Sequence, residues 1–386
     1  MTYFIRLTLI IILIPLVTFA FNSTRFGSRG FFHVQTASTL YKGTLDAGTN
    51  LNFFTKVGDY LGEAKPENFA AVNWWDVQYN IYSTYGILDN LDMTFMWRIY
   101  QDANRYLVGE GESEYQYNIP EDIFLDFKAG SFGINNNRFN LGFITSFRIP
   151  TAQNYNYYFE PYTAGGFEFG LTGLASYFND PYLHDRSYSV HLNLGWYYHN
   201  DAGKVLYKDI TGVEYKADGN ASALQYGLAF SYPTELFELN LEFWGNKFIN
   251  APDSMAYSRE DYMYITPSVK FKPKPWFNFN LGLDIRVSKD EDTSSKLLPS
   301  PKERLSLPNY PSWKLYLALN FRLLPWGSGF EGSKTGRSKV DFYESLLKDS
   351  RRSEKIEEEL RRLRKEREQA EKELEELRQM LEEQGK

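Results

Sequence analysis

Apolar and polar residues alternate strictly over residues 276–288, which read WFNFNLGLDIRVS. Every second position from 277 to 287 is apolar, and the positions between them hold Asn, Gly, Asp and Arg. A period of two predicts a β-strand with one apolar and one polar face. In a soluble protein the apolar face forms the core. In an outer-membrane barrel the apolar face contacts lipid and the polar face fills the lumen.

The same alternation recurs along most of the chain. It predicts twelve strands, at residues 44–57, 69–85, 91–102, 121–132, 139–150, 165–178, 188–200, 222–233, 236–248, 262–272, 276–289 and 312–324. Each is long enough to cross a bilayer at a tilt, which takes roughly 9–11 residues. The connections are alternately short and long, as periplasmic turns and extracellular loops are. We therefore predict an all-β fold, a transmembrane antiparallel β-barrel of about 12 strands over residues 44–325, in the bacterial outer membrane, with both chain ends in the periplasm.

The first twenty residues have the pattern of a secretory signal peptide. One Arg precedes an apolar run, and the small residues Thr18 and Ala20 fit cleavage after Ala20. A single membrane anchor is the alternative, but the run is short and Pro15 interrupts it. No later segment has the ~20 apolar residues of a transmembrane helix, and a closed barrel is the other structure that satisfies the backbone in lipid. Residues 21–43 are then a periplasmic lead-in segment rather than a thirteenth strand.

The composition fits this fold and excludes several other classes of protein. Aromatic residues make up 17% of the chain and charged residues 24%, as expected where apolar and polar faces alternate. The net charge is -7 and no basic stripe is present, so nucleic acid is not a predicted partner. The chain has no cysteine, which excludes disulfides, thiolate nucleophiles and Cys-ligated metals.

Three segments resemble a known group of barrels. YGILDNLDMTF (85–95) resembles the turn-and-strand pattern of bacterial porin-like outer-membrane proteins. TASTLYKGTLDAG (36–48) and PSVKFKPKPWFNFNLGL (267–283) are similar to the same group, which includes barrels described as transporters of aromatic-degradation pathways. The resemblance implies an outer-membrane barrel that passes small solutes, and it specifies no particular solute.

The chain changes character after Pro325. Residues 326–339 are rich in Gly and Ser and predict a flexible linker. Residues 340–386 predict an α-helical coiled-coil tail, because they contain a mostly apolar seam whose positions are separated alternately by four and three residues. The seam residues are Ile356, Leu360, Leu363, Arg367, Ala370, Leu374, Leu377 and Leu381. Pairs such as Glu357 with Arg361 also fit a single solvated helix, but the regular seam favours self-association or a periplasmic partner.

The histidines are the residues to test first for catalysis and metal binding. The chain has His33, His184, His191 and His199, and none has a second His at metal-ligand spacing. His191 also lacks the serine two residues later that a barrel phospholipase would require. We therefore predict that the protein is not an enzyme, with no catalytic residue, no cofactor and no metal site.

Projecting the alternation inward gives a set of charged candidates for lining the lumen. They are Arg98, Lys128, Arg148, Glu168, Glu238, Glu242, Asp284, Arg286 and Arg322, with Asp76, Asp92, Asp126 and Lys270 on the same side. Confined charges must pair or stay hydrated, so they form structural ion pairs or line a polar channel. Twelve strands enclose less space than the ~16–18 of general porins. Neither sign dominates the set, so no strong ion selectivity is predicted.

Two functions therefore remain open from the sequence. The first is a narrow porin-like channel or transporter for small solutes, with a periplasmic coiled-coil extension. The second is a structural outer-membrane anchor whose tail binds itself or a periplasmic partner. Membrane lipid is a predicted partner in both.

Overall fold

The structure is a computed structural model, and it describes only part of the chain. The described residues are 27, 29–59, 71–106, 113–157, 159–180, 184, 187–209, 211–234, 236–274, 276–295, 309–324, 362, 366 and 369. The predicted signal peptide (1–20) and linker (326–339) lie outside them. Of the predicted tail, only Arg362, Glu366 and Gln369 are described, and these three are helical. No helix among the described residues is long and apolar enough to cross a membrane.

Fifteen strands form in the described part of the chain. They are β1 (Leu45–Asp59), β2 (Ala71–Leu88), β3 (Leu91–Tyr106), β4 (Ser113–Asn118), β5 (Ile123–Ile134), β6 (Phe139–Ile149), β7 (Glu168–Phe178), β8 (Ser189–Tyr198), β9 (Val205–Lys208), β10 (Glu214–Lys216), β11 (Ser222–Pro233), β12 (Phe237–Asn250), β13 (Tyr262–Lys274), β14 (Phe277–Arg286) and β15 (Trp313–Leu324). Twelve of them pair antiparallel with their neighbours, and β1 pairs with β15 to close the barrel. The predicted twelve-stranded antiparallel barrel is confirmed.

The remaining three strands lie in the long connections and were not predicted. β4 pairs with the far part of β3, from Gln101 opposite Asn118 to Tyr106 opposite Ser113. β9 and β10 form a separate two-stranded hairpin between β8 and β11. They have only six, four and three residues, so alternation gives almost no signal for them.

The polar face of each barrel strand points inward. On β14, Leu281 and Leu283 are 42% and 36% exposed, whereas Asn280 and Asp284 are 4% and 1% exposed. The alternation at residues 276–288 therefore has an apolar outer surface and a polar interior. This is the arrangement of a barrel whose outer wall contacts lipid.

The two ends of the barrel differ in their connections. At one end, here called the turn end, short turns join β2 to β3, β5 to β6, β11 to β12 and β13 to β14. In the β5–β6 turn, Asn135, Asn136 and Asn137 all have positive φ, between 52° and 66°, a conformation that asparagine tolerates well. The opposite end, here called the loop end, carries the long connections. Because β1 begins and β15 ends at the turn end, the chain enters and leaves the barrel there.

Residues 29–41, here called the N-terminal segment, lie inside the barrel. Phe31 and Val34 pack against Ala229 of β11, and Phe32 packs against Tyr316 of β15. This position differs from the periplasmic lead-in predicted for residues 21–43. As predicted, the segment is not a thirteenth strand of the barrel. Side chains of the barrel wall instead accept several of its backbone N–H groups, such as those of Phe32 and Leu40.

Candidate functional site

A single carboxylate holds the middle of the N-terminal segment. The side chain of Glu242, inward on β12, accepts the backbone N–H groups of residues 32, 33 and 34 at 3.0, 2.7 and 2.8 Å. Three successive N–H groups converging on one anion form charge-assisted hydrogen bonds, which are stronger than neutral ones. Glu242 is fully buried. The carboxylate therefore supplies the partners that a neighbouring strand would otherwise provide.

The ends of the segment are held in the same way. The Leu40 N–H lies 2.9 Å from both carboxylate oxygens of Asp92 on β3. The Ala37 N–H donates to the Ser176 hydroxyl of β7 at 2.8 Å. The Lys128 ammonium of β5 donates to the Arg29 carbonyl at 3.0 Å. Inward side chains on opposite sides of the barrel thus fix the segment across the lumen.

His33 connects the segment to an aromatic stack. Its Nε2 lies 2.9 Å from a carboxylate oxygen of Asp284 on β14. Its ring is stacked on Trp244, with 3.7 Å between ring centroids, and Trp244 is stacked in turn on Tyr264 at 5.0 Å. A planar ring of the segment therefore forms part of the inner wall.

At the loop end, the connection between β6 and β7 folds into the barrel mouth. Phe159 and Tyr162 of this β6–β7 loop pack in a buried cluster with Phe54 of β1. The Asn156 amide donates to the carbonyls of Leu206 and Met255 at 2.9 and 3.1 Å. These contacts tie the β6–β7 loop to two other long connections.

Tyr162 is held as a neutral hydrogen-bond donor. Its hydroxyl donates to the Asp201 carboxylate. Burial, together with the negative charge of Asp201, raises the pKa of Tyr162 well above its usual range. The contact therefore persists at all physiological pH values.

A cavity of about 210 Å³ lies between the N-terminal segment and the β6–β7 loop. His33 and Gln35 border it on one side, and residues 160–162 border it on the other. Its lining includes six aromatic residues, namely Phe124, Tyr162, Tyr197, Tyr226, Trp244 and Tyr262. A cavity of ~150 Å³ accommodates a benzene molecule. The space inside the barrel therefore fits a molecule with one ring and a short substituent.

A network of charged residues forms one wall of this cavity. Arg148 on β6 contacts Asp122 at 2.6 Å, Glu121 at 3.3 Å and Glu168 at 3.7 Å. Arg98 on β3 contacts Glu121 at 2.9 Å. Each of the two guanidinium groups lies 5.2 Å from the centre of the Phe124 ring, within the range of a cation–π contact. Both arginines therefore already have anionic partners inside the protein.

The nine predicted lumen residues fall into three groups. Arg98, Arg148 and Glu168 converge on the cavity wall, and Lys128, Glu242 and Asp284 contact the N-terminal segment. The other three pair with neighbours: Glu238 with Lys270 at 2.5 Å, Arg322 with Asp46 at 2.7 Å, and Arg286 with Asp290 at 2.8 Å. The structure therefore brings together only part of the set that the alternation placed inward.

Sequence reasoning missed several residues at this site. His33 and Gln35 lie in a segment that was placed outside the barrel, and Glu160 and Tyr162 lie in a long loop. Glu160 reaches Lys314 of β15 at 3.2 Å, which also contacts Asp76 of β2 at 2.5 Å. His33, Gln35, Glu160 and Tyr162 belong to no run with a period of two, so no local pattern indicates them.

His191 has a structural role in this arrangement. Its two ring nitrogens lie 2.7 Å from the Ser176 hydroxyl and 2.8 Å from the Ser189 hydroxyl. Ser176 at the same time accepts the Ala37 N–H of the N-terminal segment. Ser176 is therefore buried and connects the barrel wall to the N-terminal segment, so it is not an accessible nucleophile.

No protein-family model matches the chain, and no curated protein matches its sequence. An outer-membrane channel of Pseudomonas putida F1 is similar in structure, with 10% identity, 74% of this chain and 98% of that chain covered, and a TM-score of 0.44. The NanC porin has 7% identity, with 72% and 100% covered and a TM-score of 0.42. The Pseudomonas putida toluene transporter TodX has 8% identity, with 75% and 96% covered and a TM-score of 0.35. These similarities are remote, and the twelve-stranded antiparallel barrel rests on the strand pairing of this chain.

Proposed function

We propose that the protein is an outer-membrane β-barrel that passes small solutes through its lumen. The cavity of about 210 Å³ carries this proposal, because it lies inside the barrel and has both polar and aromatic lining residues. The apolar outer surface supports a position in a bilayer. In this proposal the turn end faces the periplasm and the loop end faces the outside.

The N-terminal segment is the barrier to passage at the turn end in this proposal. It crosses the lumen below the cavity, and side chains of separate strands hold it at separate points, for example Glu242 and Asp92. Because the segment is not paired as a strand of the barrel, it can leave the wall without breaking the pairing that closes the barrel. The proposed resting state is therefore closed, and displacement of the segment opens the path.

A disulfide lock tests this function directly. A Cβ atom placed on Gly227 of β11 would lie 3.8 Å from the Cβ of Val34, a separation that suits a disulfide. The chain has no cysteine of its own. For the Val34→Cys, Gly227→Cys protein we expect low conductance and slow liposome swelling when oxidised, and recovery when a reductant is added.

Single-cysteine variants serve as controls, because they carry each substitution without the bond. Val34→Cys alone should respond to neither oxidant nor reductant. Equal solute flux in the oxidised and reduced double variant would reject the N-terminal segment as the barrier. A complete lack of flux in every form, the unsubstituted protein included, would reject the channel and favour the second function.

The second function is a structural outer-membrane anchor. The observation that favours it is the occupied interior, where the N-terminal segment and buried pairs such as Arg322 with Asp46 fill much of the lumen. In this reading the barrel holds residues 340–386 in the periplasm. The two functions are compatible, because a channel can also carry an interaction tail.

We further propose that the tail self-associates through its seam. Leu363→Asp together with Leu374→Asp places charges where apolar packing is required, and we expect it to convert oligomers of the full-length protein in detergent to monomers. Light scattering after size-exclusion chromatography measures the change. Gln379→Asp is the control, because position 379 lies opposite the seam. A full-length protein that is monomeric without any substitution would contradict self-association.

A further inference from the structure

We propose that the cavity between the N-terminal segment and the β6–β7 loop binds a small aromatic cation. The proposed ligand has a single aromatic ring and a short chain that ends in a protonated amine, as in a phenylalkylamine. This inference rests on the proposed function only in that the cavity lies on the solute path. It concerns equilibrium binding, which can be measured without transport.

The charge balance around the cavity is the first argument. Arg98 and Arg148 line the cavity, but Glu121 and Asp122 face their guanidinium groups from the same wall. The carboxylates of Asp126, Glu160 and Glu168 line the cavity directly. Lys314 contacts Glu160 at 3.2 Å, so the lining residues and their partners include five carboxylates and three cations. The two signs balance closely over all inward positions. An anionic ligand would enter a region of negative potential, whereas a cation would be attracted.

Asp126 is the carboxylate best placed to meet a ligand. It lies on β5 opposite Ser146 of β6, and both residues line the cavity. Its side chain is buried and lies near the neutral side chains of Ser146 and Gln35. The nearby Lys128 ammonium is directed to the carbonyl of Arg29 in the N-terminal segment. A buried carboxylate is stabilised by an opposite charge at contact distance, and a ligand ammonium can provide one.

The aromatic lining is the second argument. Tyr197, Tyr226 and Tyr262 border the same space as Asp126. Aromatic rings attract cations through their negative faces and stack with flat ligands. The cavity volume of about 210 Å³ limits the ligand to one ring with a short chain. The aromatic lining, the carboxylate of Asp126 and the cavity volume together define the ligand class.

Isothermal titration calorimetry tests the inference by measuring the affinity of the purified full-length protein, in neutral detergent, for three matched probes. Phenethylamine is a cation at neutral pH, 2-phenylethanol is its neutral analogue and phenylacetate is an anion of similar size. We expect phenethylamine to bind at least about tenfold more tightly than 2-phenylethanol, because a charge-assisted bond replaces a neutral one. Phenylacetate should bind most weakly.

Two variants locate the site. Asp126→Asn keeps the shape and should remove the preference for the amine while leaving binding of 2-phenylethanol unchanged. Gln225→Trp should abolish binding of all three probes, because Gln225 borders the cavity and an indole there occupies its space. Asp218→Asn is the matched control, since Asp218 is exposed in the connection between β10 and β11. Unchanged heat-dependent migration in gels confirms that each variant is folded.

The results separate this inference from the proposed function. Equal binding of amine and alcohol, or an unchanged amine preference in Asp126→Asn, would overturn the cationic ligand class. Amine binding that survives Gln225→Trp would overturn the location. Amine binding with the expected preference, in a protein that passes no solute in liposomes, would support the site and reject the channel.

Discussion

Replacing Glu242 by glutamine is expected to raise the single-channel conductance of the protein severalfold. Three consecutive backbone N–H groups, those of residues 32–34, donate to this carboxylate at 3.0, 2.7 and 2.8 Å. A glutamine amide accepts only through its oxygen and turns its own N–H₂ group toward the remaining donors. Loss of charge-assisted bonds worth about 1.5–3 kcal/mol each shifts the N-terminal segment away from the wall. Planar-bilayer recording measures the change.

Glu238→Gln is the matched control for this prediction. Glu238 lies on the same strand and also faces inward, but its carboxylate contacts Lys270 at 2.5 Å and Lys272 at 3.6 Å. Glu238→Gln should therefore leave the N-terminal segment in place and change the conductance much less than Glu242→Gln does. Conductance that remains at the unsubstituted level in Glu242→Gln would show that this carboxylate does not control the barrier. In the disulfide-locked protein, Glu242→Gln should have no effect.

The barrel strands were predictable because alternation is a local property. The residues of one strand are sufficient to reveal its two faces, so the predicted strands 139–150 and 222–233 correspond to β6 (Phe139–Ile149) and β11 (Ser222–Pro233). Closure of the barrel follows from the need to pair every edge in lipid. The strands β4, β9 and β10 were missed because runs of six residues or fewer are too short for alternation to reveal two faces.

The interior was less predictable, because its contacts join distant parts of the chain. The hydrogen bond from Phe32 to Glu242 spans 210 positions, and nothing near residue 32 indicates that partner. Alternation predicts for each residue whether its side chain points inward. The pairing of Arg148 with Glu168, in contrast, depends on the register between β6 and β7. The prediction of balanced charge also missed the local excess of carboxylates, since Lys128, Arg286 and Arg322 point away from the cavity to other partners.

Replacing Arg148 by methionine is expected to lower the free energy of unfolding by about 3–5 kcal/mol, the usual result of removing one partner from a buried ionic network. Arg148 contacts the carboxylates of Asp122, Glu121 and Glu168 at 2.6, 3.3 and 3.7 Å. Methionine fills similar space but leaves these carboxylates close together without the shared guanidinium. Urea unfolding of the protein in lipid vesicles, followed by tryptophan fluorescence, measures the loss.

Two further substitutions show whether the loss comes from charge. Arg286→Met is the matched control, because Arg286 contacts Asp290, whose side chain is 43% exposed, and such a pair contributes about 0–1 kcal/mol. Adding Asp122→Asn to Arg148→Met should recover part of the lost stability, because it removes one of the uncompensated carboxylates. If Arg148→Met costs no more than Arg286→Met, the network does not stabilise the barrel. If Asp122→Asn adds a further loss instead, the hydrogen bonds that Asp122 accepts from the Thr151 and Ala152 N–H groups and from the Tyr155 hydroxyl outweigh the relief of charge.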